Sequence, residues 1–245
     1  MDPRINIIDK RLAKIGKIVA ISGGKGGIGK STLAATLALA LSGKHYKVGL
    51  LDLDFWGPSA HIILGVQGKQ PRERKGVVPP KIDGIEFMSI IYYTMDKTLA
   101  LRRAGFDSAV TELLVVTQWG RLDYLIIDMP PGIGDAALDV IRLMKKVSFC
   151  VIANQSRVIM ETVKNTLKLL EKLEIPIIGV VENMGINNSS VRDQIRRLGI
   201  AFLGRLDFDP GLEDAIGNPK KLLETGFSES VNRLIVKAVE NYAVD

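Results

Sequence analysis

The sequence predicts an α/β fold in which a doubly wound, mostly parallel sheet carries helices on both faces. Apolar segments rich in β-branched residues alternate along the chain with stretches of helical periodicity, which is the pattern of repeated β–α units. Most of these segments are apolar throughout, as expected for parallel strands that are covered on both faces. Hydrophobic residues make up 47% of the chain, which is enough to fill such a core.

Each element follows from the same alternation. The short apolar segments are predicted strands, namely residues 17–21, 47–53, 85–90, 124–128, 149–153, 175–181 and 201–206. The stretches with apolar residues three and four positions apart are predicted helices, namely 31–43, 137–146, 158–173 and 190–199. The first helix ends at Gly43, a residue suited to a helix C-terminus.

The chain of 245 residues is predicted to form one domain over 1–245, because doubly wound sheets of this size often stay undivided. Residues 1–14 form an N-terminal extension, and 67–84 form a surface loop because they hold three prolines and no periodicity. This loop is basic, so a contact surface is the alternative to a solvated loop. Residues 228–245 form a C-terminal helix. We expect it to pack on the protein, because its polar face is mixed and ends acidic, unlike a basic membrane helix. Its apolar positions are Val231, Leu234, Ile235, Ala238, Val239 and Tyr242.

The chain carries a formal net charge of +6 and has an isoelectric point of about 9.3. Clustered basic residues would favour a nucleic acid or an anionic lipid as partner. Here the basic residues are scattered, which favours a polyanionic nucleotide and argues against nucleic acid and membrane partners. The 69–75 segment and the trio Arg192, Arg196 and Arg197 come nearest to a basic patch.

Cysteine usage and hydropathy indicate the compartment. Cys150 is the single cysteine, which excludes a disulfide framework and a zinc site of the multi-cysteine kind. One cysteine and two histidines suit a reducing environment. The sequence shows no signal-peptide pattern and no run of about 18 apolar residues for a membrane span. We therefore expect a cytoplasmic protein.

The string SGGKGGIGKST contains a phosphate-binding loop. Gly24, four residues and then Gly29-Lys30-Ser31 fit the pattern G-x-x-x-x-G-K-[ST], and the motif lies between a predicted strand and a predicted helix, as its function requires. Glycines let successive N–H groups turn toward phosphate oxygens, and the helix N-terminus adds its positive dipole end. Lys30 is predicted to bind the β- and γ-phosphates. Ser31 is predicted to bind Mg²⁺, and Thr32 to lie on the α-phosphate side.

Aspartates at strand ends supply candidate partners for this loop. Asp128 ends an apolar strand, where its carboxylate can hold Mg²⁺ through water, and two prolines and Gly132 follow. The Gly132 N–H is predicted to bond the γ-phosphate and to release it after hydrolysis. Asp52 and Asp54 end another strand, and one of them is predicted to orient the attacking water. A lone aspartate is more often a turn residue, so the prediction depends on finding them together beside the loop.

Four strings carry a resemblance to known proteins. KGGIGKST resembles the deviant Walker A motif of the MinD/ParA-like ATPases. Within that group, DLDFWGPS (52–59), WGRLDYLIIDMPPGIGD (119–135) and GVVENM (179–184) are similar to the Mrp family of iron–sulfur-cluster carrier ATPases. The resemblance covers about residues 15–225. It implies an ATPase that uses ATP and Mg²⁺, turns over slowly under stimulation by a partner, and forms an ATP-dependent homodimer.

The resemblance also implies roles for single residues. Lys25, the second lysine of the loop, would reach the phosphates bound by the other subunit, so that hydrolysis depends on dimerisation. Asp54 would activate water, Asp52 would lie near the Mg²⁺ shell, and Asp128 to Gly132 would form switch II. Asn183 would bind adenine through its amide. The loop residues implied at the nucleotide are Gly24, Lys25, Gly26, Gly27, Ile28, Gly29, Lys30, Ser31 and Thr32.

The Mrp pattern breaks at two places. The family commonly has C-P-x-C shortly after E-N-M, and two such motifs would hold one bridging iron–sulfur cluster across a dimer. Here ENMGINNSSVRDQIRRLG has no cysteine, and Cys150 lies in an apolar segment that suits the core. ALRRAGF (100–106), with Arg102 and Arg103, stands where the family has an R-G-P-M-like string.

These departures leave more than one hypothesis. One is an Mrp-like ATPase that assists iron–sulfur cluster assembly or transfer, with cysteines from an assembly or acceptor protein. Another is a MinD/ParA-like ATPase switch that positions or partitions a cargo and holds no cluster. A third is a nucleotide-gated scaffold with slow hydrolysis.

Overall fold

A computed structural model describes residues 2–94, 106–132, 134–185 and 190–242. Arg102 and Arg103 lie outside these residues, and so does the 186–189 stretch that follows E-N-M-G. The strands are β1 (Ile15–Gly23), β2 (Val48–Asp52), β3 (Arg72–Glu73), β4 (Val77–Val78), β5 (Lys81–Ile82), β6 (Ile85–Ser89), β7 (Leu122–Asp128), β8 (Val147–Ala153), β9 (Ile177–Gly185) and β10 (Phe202–Asp207).

Eight of these strands form one sheet in the order β10-β9-β8-β1-β7-β2-β6-β5. All neighbouring pairs are parallel except β5 and β6, which are antiparallel. β1 leads to β2 on one side and β7 leads to β8 on the other, so right-handed crossovers place their helices on opposite faces. The predicted doubly wound, mostly parallel α/β fold is confirmed.

The helices follow the strands in the expected alternation. They are α1 (Pro3–Leu12), α2 (Lys30–Gly43), α3 (Ala60–Ile63), α4 (Ile91–Thr94), α5 (Phe106–Val116), α6 (Asp135–Leu143), α7 (Arg157–Lys172), α8 (Val191–Arg197), α9 (Leu212–Ala215), α10 (Pro219–Leu223), α11 (Gly226–Val231), a π-helical segment (Asn232–Val236) and α12 (Lys237–Asn241). α2 is almost wholly apolar and buried, because it packs between the sheet and the C-terminal helices.

Two boundaries differ from the sequence prediction in ways that affect the site. The strand predicted at 175–181 runs from Ile177 to Gly185, so E-N-M lies inside β9 and not after it. The 67–84 segment, predicted as an irregular loop, contains β3, β4 and β5. β3 pairs antiparallel with β4, and β5 pairs with β6, so the backbone groups of these short strands are hydrogen-bonded. The sequence did not predict them, because the segment shows no apolar periodicity.

Both terminal segments pack on the core. In the N-terminal extension, α1 buries Ile8 and Leu12. From Gly226 to Asn241 the C-terminal segment is helical throughout, and Val231, Ile235 and Val239 are buried. The Lys17 ammonium donates to the carbonyls of Val239 and Glu240 at 3.0 and 2.9 Å, which caps the end of α12. Within the described residues, no helix combines the length and apolarity needed to cross a membrane.

Candidate nucleotide-binding site

The candidate site lies where the carboxyl ends of the central strands meet. β7 lies between β1 and β2, and Asp52 is the register partner of Asp128 across the β2–β7 pair. Open α/β sheets bind ligands at this edge, beside the strand where the winding direction reverses. Here the reversal occurs at β1. The chain passes from β1 to β2 on one side of the sheet, and the later strand β8 pairs with β1 on the other side.

The predicted phosphate-binding loop connects β1 to α2. Gly27 and Gly29 have positive φ values of 77° and 91°, which a side chain would strain. Ile28 is buried and anchors the loop, since its side chain contacts Gly23 so closely that a Cβ there would meet it at 2.4 Å. α2 begins at Lys30, so its free N–H groups and dipole face the loop. The described backbone has the form that an anion-binding loop needs.

The two loop lysines differ in environment. Lys30 is buried, and its ammonium donates to the Lys25 carbonyl at 3.1 Å. Burial lowers the pKa of Lys30, while the nearby Asp128 and Asp54 carboxylates act in the opposite direction. The Lys25 side chain is exposed. Lys25 therefore contacts its own loop through its backbone carbonyl. Its side chain has no hydrogen-bond or ion-pair partner among the described residues.

Asp128 is buried with both carboxylate oxygens lacking a hydrogen-bond partner in the described part of the chain. Burial raises the pKa of Asp128 to about 8, and repulsion from Asp52 adds to this effect. The nearby Ser31 hydroxyl and Lys30 ammonium lower the pKa of Asp128, although neither group is within hydrogen-bond geometry of its carboxylate. An orphaned buried carboxylate is costly, so this side chain is arranged for a cation or a water that holds one.

Asp52 is equally buried but is hydrogen-bonded. Its carboxylate accepts from the Asp54 N–H at 3.0 Å and from the Ser89 hydroxyl at 3.3 Å. Burial raises the pKa of Asp52 to about 6, against the lowering effect of the Asp54 N–H. Asp54 is half-buried and accepts from the N–H groups of Trp56 and Gly57 at 3.2 and 3.1 Å. It thereby shapes the turn that follows β2.

The donor set fits Mg²⁺ bound together with a nucleotide. Mg²⁺ usually takes one or two carboxylates and completes its shell with waters and substrate phosphates. The Ser31 hydroxyl and the Asp128 and Asp52 carboxylates supply that kind of set at the loop. The described residues hold no group of three or more His, Cys, Asp or Glu side chains arranged for a metal ion.

Asn183 contacts the phosphate-binding loop. It is buried in β9, and its side-chain amide donates to the Ile28 carbonyl at 2.8 Å. The approach is so close that a Cβ on Gly29 would lie 2.3 Å from the amide nitrogen. Met184 follows in a left-handed conformation, with φ of 54° at an irregularity in the β9–β10 pairing. The implied adenine contact of Asn183 stays a prediction, and the loop contact is an addition to it.

The loop and the strand ends enclose a cleft of about 550 Å³. Of the predicted site residues, the cleft is lined by Gly26, Gly27, Gly29, Lys30, Ser31, Thr32 and Asp54. Gly24 packs instead beside α7, where a Cβ would lie 2.9 Å from the Ile159 carbonyl, and the Gly132 N–H donates to the Gly23 carbonyl at 3.1 Å. Gly132 would have to leave that bond to reach a phosphate.

Sequence reasoning missed several lining residues, namely Trp56, Gly57, Ser59 and Met184, whereas Pro131 lies in the predicted switch II. Trp56 is 84% exposed, and Met184 is also exposed. Trp56 lies in the string DLDFWGPS and Met184 in GVVENM, but the predictions made from these strings concerned Asp52, Asp54 and Asn183. A large apolar side chain left in water beside a polar motif is the signal that would have marked them.

The fold and the loop together define a P-loop NTPase of the MinD/ParA-like kind, and solved structures share this architecture. The nucleotide-binding protein of Archaeoglobus fulgidus, solved in complex with ADP, superposes with a TM-score of 0.76 at 29% identity, covering 92% of this chain and 95% of that one. The cell division ATPase MinD of Pyrococcus furiosus has a TM-score of 0.69 at 18% identity, covering 93% and 100%, and supports the fold alone.

Sequence comparison narrows the class. The family model described as NUBPL iron-transfer P-loop NTPase, of the ParA group, matches residues 14–242. An iron-sulfur cluster carrier protein of Pseudomonas fragi is 39% identical over 180 residues, which is 72% of this chain and 63% of that protein. One of Methanocaldococcus jannaschii is 34% identical over 253 residues, covering 95% and 87%. This chain belongs to that iron–sulfur-cluster carrier family, so the resemblance to the Mrp family is confirmed. The chain spans less than two thirds of the length of the Pseudomonas relative.

Proposed function

We propose that the chain binds and hydrolyses ATP, forms an ATP-dependent homodimer, and assists the assembly or transfer of iron–sulfur clusters. One observation carries the ATPase proposal: a glycine-rich loop with a buried lysine faces a buried carboxylate, Asp128, whose two oxygens have no partner among the described residues. This combination suits a phosphate-bound Mg²⁺. The ADP complex of the Archaeoglobus relative supports the choice of an adenine nucleotide.

Each residue of the site has a separate role in this proposal. The loop amides and Lys30 bind the β- and γ-phosphates, and Ser31 with Asp128 and Asp52 would hold Mg²⁺, which neutralises phosphate charge when bound. Asp54 orients the water that attacks the γ-phosphorus, and the bond to the ADP oxygen breaks. Lys25 of the opposite subunit stabilises the charge that develops during transfer. Asn183 holds the loop and contacts adenine.

The iron–sulfur cluster would be the cargo of this protein, and Cys150 is not suited to bind it. Cys150 is fully buried in β8, and burial raises the pKa of its thiol to about 12. A cluster needs accessible thiolates, usually four. We therefore propose that an assembly or acceptor protein supplies them. The MinD/ParA-like positioning switch without a cluster is the second candidate, and the absence of C-P-x-C from the sequence favours it.

Lys30→Ala should abolish ATP binding, because it removes the buried cation of the loop. Isothermal titration calorimetry with Mg·ATP measures the binding, and phosphate release measures the turnover. Trp56 is exposed at the cleft while Trp119 is buried, so protection of Trp56 from acrylamide quenching gives a second signal. Lys168→Ala, an exposed lysine on α7, is the matched control and should bind as the wild type does. Undiminished binding by the Lys30 variant would refute the nucleotide proposal.

Anaerobic reconstitution with iron and sulfide separates the two candidates for the cargo. We expect the isolated chain to hold no stable cluster after desalting, by metal analysis and visible spectrum, because Cys150 is inaccessible. Addition of a thiol-bearing scaffold protein loaded with a cluster should give an ATP-dependent change in cluster transfer. A chain without effect on transfer, with or without ATP, would favour the positioning switch. A stable cluster on the isolated chain would contradict the inaccessibility of Cys150.

A further inference from the structure

We propose that the β3–β4 hairpin and the segment after it form a docking groove for an acidic, apolar segment of a partner protein. The groove has a volume of about 820 Å³. Among its lining residues Pro71, Val78, Pro79 and Pro80 are buried or half-buried and form the floor, whereas Lys69, Arg72 and Lys81 are exposed and form the rim. We call this the basic groove. It does not depend on the nucleotide site and holds whether or not the ATPase proposal does.

The basic groove lies at the opposite end of the sheet from the nucleotide site. Val77 bridges Thr117, which stands before the amino end of β7, and Lys81 pairs with Glu86 near the start of β6. The other ends of these strands carry Asp128, which lies near Ser31 of the phosphate-binding loop, and Ser89, which donates to Asp52. A partner in the groove would therefore leave the nucleotide cleft open.

The hairpin is held in place by the chain segment after α5. The Gln118 N–H donates to the Val77 carbonyl at 2.7 Å, and its side-chain amide donates to the carbonyls of Arg74 and Lys75. Gly76 has φ of 137°, and a Cβ there would lie 2.8 Å from the Val116 carbonyl. The basic side chains are thus carried on a fixed backbone, which lowers the entropic cost of binding.

The charge of the hairpin is not neutralised by its surroundings. Lys69, Arg72, Arg74, Lys75 and Lys81 are exposed, and across the described residues none of them forms an ion pair. The acidic residues of the 67–84 segment are Glu73 and Asp83, and neither lines the groove. A ligand that fits must therefore bring negative charge.

The apolar floor of the groove indicates which class of anionic ligand fits, an acidic peptide or a nucleic acid. Proline and valine side chains offer apolar contact that a phosphate backbone cannot use. The 67–84 segment has no aromatic residue on which a nucleobase could stack. An extended peptide that alternates acidic with aliphatic residues matches both the floor and the rim. The chemistry favours a protein partner over a nucleic acid.

Peptide selection tests this proposal on the full chain. A display library of short random peptides is selected on the wild type and counter-selected on Arg72→Glu/Lys81→Glu, and enriched peptides are then titrated by fluorescence anisotropy. We expect enriched peptides to combine Asp or Glu with Leu, Ile or Val, and the charge reversal to weaken their binding at least about tenfold. Val78→Ser should weaken it less. Lys164→Glu/Lys168→Glu, in a separate cleft between α7 and α8, should leave it unchanged.

The remaining outcomes overturn the proposal. No enrichment, enriched peptides without acidic residues, or equal binding to the Arg72/Lys81 variant would each remove the groove as a peptide site. Duplex DNA and phosphatidylglycerol vesicles are titrated in parallel at about 0.15 M salt, where weak surface attraction is screened. If either binds the wild type and loses binding in the charge-reversed variant while no peptide does, the surface belongs to that polyanion. Thermal unfolding of each variant checks that it is folded.

Discussion

At the scale of single residues, the site is organised around two buried carboxylates on neighbouring strands. Asp52 satisfies its oxygens with the Asp54 N–H and the Ser89 hydroxyl, whereas Asp128 has no such partner among the described residues. Two adjacent carboxylates in an apolar setting resist ionising together. In the nucleotide-free site Asp128 therefore ionises only at a cost in free energy, which a bound cation would offset.

Asp128→Asn should stabilise the protein when nucleotide and Mg²⁺ are absent. The pKa of Asp128 is raised from 3.8 to about 8, so the folded state retains a proton that the unfolded chain has lost. The resulting penalty is absent below pH about 4 and grows as the pH rises toward about 8. Near pH 8 the variant should be more stable by at least about 1 kcal/mol.

Urea unfolding at several pH values measures this difference. The wild type should lose stability between about pH 5 and pH 8 relative to the variant. Asp193→Asn, which replaces an exposed aspartate of α8, is the control and should run parallel to the wild type. An Asp128→Asn protein that is less stable than the wild type near pH 8 would show that Asp128 is ionised and satisfied in the folded state.

At the scale of elements, the phosphate-binding loop depends on a strand that lies two positions away in the sheet. β9 is separated from β1 by β8, yet Asn183 reaches across to the Ile28 carbonyl. This hydrogen bond is buried, so its loss would leave the Ile28 carbonyl without its partner. β9 is thus part of the loop's support, in addition to any contact with the base.

Asn183→Ala should weaken the binding of ATP and of inorganic tripolyphosphate by similar factors, about tenfold, because it loosens the loop that both ligands share. Calorimetric titration with each ligand gives the comparison. Asn165→Ala, an exposed asparagine on α7, is the control. If only ATP binding falls, the residue acts on adenine alone, as the resemblance implied, and the loop contact is not needed for phosphate binding.

The elements also show how far the sequence could be interpreted. The loop, α2 and the strands with Asp52 and Asp128 were predictable, because glycine spacing and apolar runs encode them locally. The hairpin in 67–84 was not, since its strands are two residues long and are held by the backbone of Gln118, far away in the chain. The Asn183–Ile28 bond joins residues 155 positions apart, which no local pattern reveals.

At the scale of the whole molecule, the two ends of the sheet differ in character. The carboxyl ends of the strands carry the nucleotide cleft with its exposed apolar side chains, Trp56 and Met184. Exposed apolar groups around a polar cleft favour a surface that is covered in a complex. An ATP-dependent homodimer would cover this end while the basic groove stays accessible at the other.

Lys25→Ala should retain ATP binding but lose ATP-dependent dimers and at least about a hundredfold of turnover, as expected for a cation supplied in trans. The variant keeps the Lys25 carbonyl that accepts from Lys30, so its own loop stays intact. Light scattering with and without ATP measures the dimer, and phosphate release measures the turnover. Lys168→Ala again controls for loss of one exposed lysine, and full turnover in the Lys25 variant would remove the role in trans.

Mixing two inactive variants separates an action in trans from an action in cis. Asp54→Ala should bind ATP and form a trapped dimer without hydrolysis, because it lacks the group that orients water. In a mixed dimer, the Asp54→Ala subunit supplies Lys25 to the Lys25→Ala subunit, whose Asp54 is intact. A lysine that acts across the interface therefore predicts that the mixture regains turnover that neither variant has alone. A lysine that acts on its own nucleotide predicts an inactive mixture, since each site then lacks one of the two groups.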